Sequence, residues 1–359
     1  DIIGGGAGAD VITGAVGADT ITGGAGNDTF VYSVTAHLAA SSAIVDSVDG
    51  GAGTDSISIN NNGLATFTIA VGDDFARATT MEKIVATGQS NQVITITTHA
   101  DMVTDGITTI DLSADTLATA NNVIDADAIT GSVGMTLTGS AGIDSITGTD
   151  FADTIAGGLG ADIILGGTGA DIIGGGGGID IITGGTGLDI ITSGAAADLI
   201  IVGDATNGNN FDTITDFVTV SDDIKALQST FGWNSTDNTE TVLLATGATI
   251  KAADNAGDSN IVTLSATIAT HTYATFAAGT STYAQLEGTA ITAMGVTGAL
   301  DAAAVVLVAV DDGVSTGLWQ FTSADVINNA VAASEIELIG VLTGVANAAA
   351  LVVGDFIFS

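Results

Sequence analysis

Along two stretches of the chain the apolar positions keep a nine-residue rhythm. Ile146, Ile155, Ile164, Ile173, Ile182, Ile191 and Ile200 recur in one phase, each two residues after an aspartate of the series Asp144, Asp153, Asp162, Asp171, Asp180, Asp189 and Asp198. The same phase opens the chain, where Asp1, Asp10, Asp19 and Asp28 precede Ile3, Ile12, Ile21 and Phe30. GGAGTDSIS from Gly50, with Asp55 in sixth place, is an isolated further copy. A helix repeats its apolar face every 3.6 residues and a lone strand every two, so a period of nine describes a stacked unit. In the pattern G-G-x-G-x-D-x-U-x, six residues turn and three form a strand. Position eight points inward between two sheets, and positions seven and nine point out. Two nonapeptides close one coil, which predicts an all-β chain built on parallel β-roll segments, a β-solenoid.

Between and after these arrays the rhythm loosens. Residues 1–58 form the first roll. Over residues 59–138 short Thr/Ile/Val runs such as Val93-Ile94-Thr95-Ile96 and Ile107-Thr108-Thr109-Ile110 predict either irregular rungs of the same solenoid or a small β-domain, with a short helix at residues 74–84. Residues 139–217 form the second roll and its cap. Residues 218–359 are β-rich, with helical starts expected at Ser221 to Leu227 and at Ser323 to Ala333.

Charge decides what the rolls need. The chain of 359 residues carries 41 acidic and 4 basic residues, a formal charge of -37. Nucleic acid and anionic membrane surfaces are poor partners for such a chain, and no nucleic acid is expected. Aspartates in one column stand about one strand spacing apart, roughly 4.8 Å. Two like charges at that distance repel by roughly 3 kcal/mol at an effective dielectric near 20, so a column needs a counter-charge. Carboxylates and carbonyls are the donors calcium prefers, whereas the chain has no cysteine and its three histidines lie outside the arrays. The expected cofactor is calcium, held by Asp1, Asp10, Asp19, Asp28, Asp55, Asp144, Asp153, Asp162, Asp171, Asp180, Asp189 and Asp198. No apolar run reaches 18 residues, so no membrane-spanning helix is expected. Asp1 stands at position six of a nonapeptide already in progress, which points to a longer chain.

The nonapeptides resemble those of the RTX (repeats-in-toxin) proteins, most closely the lattice-forming region of RTX-type bacterial S-layer proteins. The resemblance is specific over residues 1–58 and 139–217. It implies type I secretion, with Val353-Gly354-Asp355-Phe356-Ile357-Phe358-Ser359 similar to the family's acidic-then-apolar terminal signal, and folding on meeting extracellular calcium. It further implies that backbone carbonyls at loop positions one, three and four complete the shell. These are Gly5, Ala7, Gly8, Gly23, Ala25 and Gly26 in the first array. In the second they are Gly157, Leu159, Gly160, Gly166, Thr168, Gly169, Gly175, Gly177, Gly178, Gly184, Thr186 and Gly187. The pattern departs at Thr136, which takes the aspartate place in a copy counted from Gly131, and at 148–151 and 193–197, where loop glycines are replaced.

No catalytic constellation accompanies the repeats, and the expectation is a non-enzyme. H-E-x-x-H is absent. Gly313-Val314-Ser315-Thr316-Gly317 matches a nucleophile elbow, but no histidine follows His271 to complete its chain order, and a turn after Asp312 explains it. Position seven, ordinarily polar as at Thr20, Thr29, Ser145 and Thr154, becomes Ile163, Ile172, Ile181, Ile190 and Leu199 in the second roll. Ile163, Leu165, Ile181, Leu199 and Ile201 then share one outward face, a patch covered either by other parts of the chain or by a second copy. The expected role is a structural surface-layer protein, secreted to the extracellular cell surface. It would assemble into a homo-oligomer or two-dimensional lattice and be anchored to cell-surface polysaccharide through an upstream domain. The alternative is the C-terminal secretion and folding segment of a large RTX adhesin or exoenzyme.

Overall fold

The computed structural model describes residues 1–33, 46–60, 66–69, 77–87, 93–100, 102–103, 106–116, 118–119, 121–129, 133–202, 211–218, 221–226, 243–245, 260–264, 305–311, 314–322, 336–345, 351 and 356–358. Regular structure among them is all strand, with no helix, and no helix long and apolar enough to cross a membrane. The chain falls into two compact units, Asp1–Thr183 and Gly184–Ser359.

The first unit is a parallel β-roll. One face is a continuous run of strands, Val11–Ile12, Thr29–Tyr32, Ser56–Ile59, Lys83–Ala86, Thr109–Asp111, Thr136–Thr138, Thr154–Leu159 and Ile172–Gly177, each paired to the next. The opposite face is built from two successive sheets. Ile2–Ala7, Thr20–Ala25, Ser47–Ala52 and Ala78–Thr79 form the first; Thr66–Ile69, Val93–Thr97, Asn121–Asp125, Ile143–Thr147 and Ile163–Thr168 form the second. The handover lies in the coil between Ser56–Ile59 and Lys83–Ala86, which contributes one strand to each of these sheets.

The core is the column of inward side chains expected at position eight. Ile21, Phe30, Ile146, Ile155, Ile164, Ile173 and Ile182 are at most 2% exposed, and Ile57, Ile84, Ile96, Ile110, Ile124 and Leu137 continue the column through the irregular middle. The described strands from Thr66–Ile69 to Thr136–Thr138 are thus rungs of the same stack, since Thr109 pairs opposite Thr136 and Thr136 opposite Thr154. Most strands in the second roll are longer than three residues: Ile163–Thr168 and Ile172–Gly177 each run for six. Pairing continues into the loop, with Gly158 opposite Gly176 and Leu159 opposite Gly177, because glycine lets neighbouring loops stack as closely as strands do.

Two helices expected from sequence are strands instead. Residues 74–76 lie outside the described residues; from 77 on, Ala78–Thr79 and Lys83–Ala86 extend the sheets, and in the latter Ile84 and Ala86 alternate inward. The segment from Ser221 gives the strand Asp223–Ala226, in register with Leu199–Val202 and with Ile224 buried. In both cases parallel pairing outweighs local helix propensity. The helix expected at Ser323 to Ala333 lies outside the described residues.

In the second unit Asp212–Ile214 pairs with Ile190–Ala195 on one side and with Ile336–Thr343 on the other. Ile336–Thr343 begins an antiparallel meander with Ser315–Thr322 and Val305–Asp311, in which Leu318, Trp319 and Leu338 are fully buried. Val305–Asp311 pairs in parallel with Asn260–Leu264, and that strand with Leu243–Ala245. The terminal strand Phe356–Phe358 lies parallel on Asp223–Ala226.

Candidate metal centre

Asp10, Asp19, Asp28, Asp55, Asp144, Asp153, Asp162 and Asp189 sit at the entry to strands, each with its Oδ2 against the first glycine of its own loop. One oxygen is used for stacking. Oδ1 of Asp28 accepts the N–H of Asp10, Oδ1 of Asp162 that of Asp144, Oδ1 of Asp171 that of Asp153 and Oδ1 of Asp180 that of Asp162, each at 2.8 Å. The amino group of Asp1 reaches Oδ1 of Asp19 in the same way. Thus the expected partners 18 residues apart are joined by a charge-assisted hydrogen bond running along the column.

The other oxygen faces inward. Oδ2 of Asp10, Asp19, Asp28, Asp55 and Asp162 is buried and has no hydrogen-bond partner, although apart from half-buried Asp10 these residues are no more than 3% exposed. Leaving a carboxylate oxygen buried and unpaired is costly unless a cation or a proton takes it up. The space it faces is lined by oxygen. A methyl group placed on Gly157 would stand 2.6 Å from Asp162 Oδ2 and 2.5 Å from the carbonyl oxygen of Gly175 one coil on. At Gly5 the corresponding pair is Asp10 Oδ2 and the Gly23 carbonyl, both 2.7 Å away. Gly139 faces Asp144 Oδ2 with the Gly157 carbonyl, and Gly148 faces Asp153 Oδ2 with the Gly166 carbonyl. Four of the carbonyls expected as ligands, Gly23, Gly157, Gly166 and Gly175, therefore lie beside a position-six carboxylate.

Loop positions three and four also stack. The Ala25 carbonyl accepts the Gly8 N–H at 2.7 Å, and the Gly177 carbonyl the Gly160 N–H at 2.6 Å. The geometry depends on positive φ at positions two and four, +113° at Gly158 and +119° at Gly160, where a side chain would drive into the carbonyls of Ser140 and Gly142. It is imposed even where glycine is missing. Ala15 at position two holds φ 72° and Ala196 at position four holds φ 114°.

Burial shapes the charges. It pushes the Asp162 carboxyl up to about 7, against the hydrogen bond from the Asp144 N–H and with the charges of Asp144 and Asp180 adding to the rise. Burial likewise lifts Asp144 to about 6, opposed by hydrogen bonds from Ser140, and raises Asp153. Without a cation, Asp162 is therefore only partly ionised at neutral pH. The donors are one carboxylate oxygen and a carbonyl from adjacent coils, all hard oxygen, which fits calcium. Among the described residues no three His, Cys, Asp or Glu side chains gather at one point, so backbone oxygens carry much of any shell.

In the second unit Asp189 and Asp198 are each 1% exposed, and their N–H groups point to Oδ1 of Asp212 at 3.4 Å and of Asp222 at 3.3 Å. Gly184 stands against Asp189 Oδ2 as the other first glycines stand against theirs. Asp212 and Asp222 were not legible as members of the columns, because 23 and 24 residues separate them from their partners instead of 18. The same holds for Asp46, whose Oδ1 accepts the Asp19 N–H from 27 residues away while Oδ2 accepts the Tyr32 hydroxyl. Beside its carboxylate and that of Asp19, burial raises the Tyr32 phenol. Thr136 proves to be a position-seven residue opposite Thr154, and Met135 takes the aspartate place, its N–H donating to Asp153 Oδ1.

Of the five residues expected on one outward face, Ile163, Leu165 and Ile181 are 53%, 41% and 36% exposed, while Leu199 and Ile201 are half-buried. On the other face Ile172 is 54% exposed.

No match was found among curated proteins. A family model for the RTX calcium-binding nonapeptide repeat, found in four copies, matches residues 1–31, 138–173 and 174–211, the segments that carry the glycine loops and aspartate columns. The loops of these segments are RTX repeats, and the ion they bind is calcium.

Proposed function

We propose that the chain is a structural component of a bacterial surface layer, folded by calcium outside the cell and assembled with copies of itself. RTX repeat proteins are typically secreted, and typically by the type I route, which supports an extracellular site of action. The observation that carries the reading is the exposed aliphatic ladder of Ile163, Leu165 and Ile181 on an otherwise very acidic chain. Each side chain, with about half or less of its surface in water, forgoes roughly 0.5–1.5 kcal/mol of burial, which a contact with another copy would recover. The proposed role is mechanical, with no catalytic step. In support, Ser315 of the elbow-like pentapeptide is 6% exposed and begins the strand Ser315–Thr322, whereas a nucleophile must stand free at a strand-to-helix turn.

The test is sedimentation with electron microscopy at millimolar calcium, on the wild-type chain and on the double variant Ile163→Thr, Ile181→Thr. Ordered sheets from the wild type and loss of them in the variant, with the calcium-induced circular-dichroism change retained in both, support the lattice. A wild-type chain that stays monomeric favours the alternative, a secretion and folding segment of a larger adhesin or exoenzyme.

A further inference from the structure

The first acid column does not stop where the glycine loops stop. From Asp10 it runs through Asp28 to Asp55, whose Oδ1 accepts the Asp28 N–H at 2.7 Å, and then to Glu82, whose Oε2 accepts the Asp55 N–H at 2.6 Å. Residues 80–82 bear no likeness to a nonapeptide. Asp49 pairs with Thr79 and Ser56 with Lys83, so Thr80, Met81 and Glu82 span in three residues what Gly50 to Asp55 span in six. Fully buried Met81 fills space that a glycine loop would leave.

What survives this shortening is the oxygen niche. Asp55 is fully buried, and its Oδ2 is without a hydrogen-bond partner. A methyl group on Gly50 would meet two oxygens, Asp55 Oδ2 and the carbonyl of Thr80, as one on Gly23 meets Asp28 Oδ2 and the carbonyl of Gly50. Thr80 is held for this by positive φ, 54°, and by its hydroxyl, which accepts the Gly51 N–H and donates to Asp49 Oδ1, both at 2.7 Å. Glu82 takes the register place that an aspartate holds in the other rungs, opposite Asp55.

We propose that Asp55, the Thr80 carbonyl and Glu82 form a further calcium site, a terminal rung closed by a glutamate hairpin in place of a glycine loop. The site extends the calcium reading of the repeats to a segment that no repeat match covers, and it stands whether or not the chain forms a lattice. Its physical basis is the unpartnered Asp55 oxygen, which the neighbouring rungs share and which a protein cation does not neutralise. Glu82 supplies both the hydrogen-bond acceptor that ends the column and the second negative charge a divalent ion requires.

Glu82→Gln separates these two roles, because the amide oxygen still accepts the Asp55 N–H while the charge is gone. Calcium bound per chain is measured by equilibrium dialysis and elemental analysis on the full chain, wild type against Glu82→Gln. The expected result is the loss of one bound calcium with an unchanged circular-dichroism spectrum at saturating calcium. Independently of whether the variant folds, wild-type crystals grown with terbium should show anomalous density beside Asp55 Oδ2 and the Thr80 carbonyl. An unaltered stoichiometry in a folded variant, or terbium density in the glycine loops with none at Thr80, overturns the proposal.

Discussion

Within the first unit the regular roll after residue 139 and the irregular middle before it share one register, one core column and one direction of stacking, yet differ in what stands at position six. In the column of the Ile143–Thr147 sheet the residue changes from Asp180, Asp162 and Asp144 to Asn122 and then to Ile94 and Phe67. In the continuous sheet it changes from Asp171 and Asp153 to Met135. Where the position is an acid it is buried, and at Asp162 it turns an unpartnered oxygen toward the first glycine of its loop. At Asn122 the amide satisfies itself, donating to Asp115 Oδ2 at 3.2 Å and Ser140 Oγ at 3.0 Å while accepting the Ile94 N–H. Stacking thus needs only the apolar column and the backbone ladder; calcium is the requirement of the buried carboxylates.

The largest expected effect follows from that contrast. Removing calcium should unfold the acid-column rungs, since binding free energy there is folding free energy. Hydrogen exchange in excess chelator should show protection lost first and most completely over Thr154–Leu159 and Ile163–Thr168. Residual protection should remain in Val93–Thr97 and Thr109–Asp111. Uniform loss across all rungs would mean that the middle has no stability of its own.

A second substitution moves one region's chemistry into the other. Asn122→Asp extends the charged column by one rung beside buried Asp115 and Asp144, with no glycine loop of its own to hold an ion. Denaturant unfolding at saturating calcium should show a loss of about 3 kcal/mol, the cost of an uncompensated buried charge. Asn122→Ser, neutral and small, should cost less.

Acidity offers a gentler probe. In the absence of metal the folded-state carboxyls of Asp162 and Asp144 lie near 7 and 6, above the ordinary 3.8, so as pH rises the unfolded chain releases protons before the folded one does. Ion-free stability is therefore greatest below the ordinary carboxylate range and falls as pH climbs through about 7. Thermal melts in metal-free buffer should rise on going from about pH 8 to about pH 5, and with calcium present the trend should reverse as protons compete with the ion. The smallest effect tests the loops. Ala196→Gly and Ala15→Gly relieve positive φ in a residue that dislikes it and should each stabilise the calcium-bound chain by about 1 kcal/mol in thermal or denaturant melts.

The all-β fold, the inward column and the buried aspartates 18 residues apart were legible because nine-residue phase is a local property that each copy states anew. The coils of 27 residues that bring Asp46 opposite Asp19 and Asp55 opposite Asp28 were not legible, since nothing local records how much chain a coil consumes before the next strand docks. Residues 77–86 mislead for a related reason. Ala78, Met81 and Ile84 fall at helical spacing, but they are buried here as members of two strands and a tight turn. Glu82 gave no signal as a partner of Asp55, because its role depends on a register set by strands far along the chain.

The glycine-loop rungs and the strands that cover Asp212–Ile214 also assemble on different clocks. A glycine-loop rung closes a loop of 18 residues, a short and frequent encounter, so each new coil can add to the last as a zipper adds teeth. The cap works otherwise: Asp212–Ile214 is covered by Ile336–Thr343, and the Thr343 hydroxyl reaches the Ile214 carbonyl across 129 residues. Contacts of such separation form slowly. Until they form, the edge of Asp212–Ile214 stays open to any strand that arrives first, and so does the edge of Asp223–Ala226 that Phe356–Phe358 later occupies. The time between zippering and capping is when the chain is most able to pair with a neighbour in place of itself.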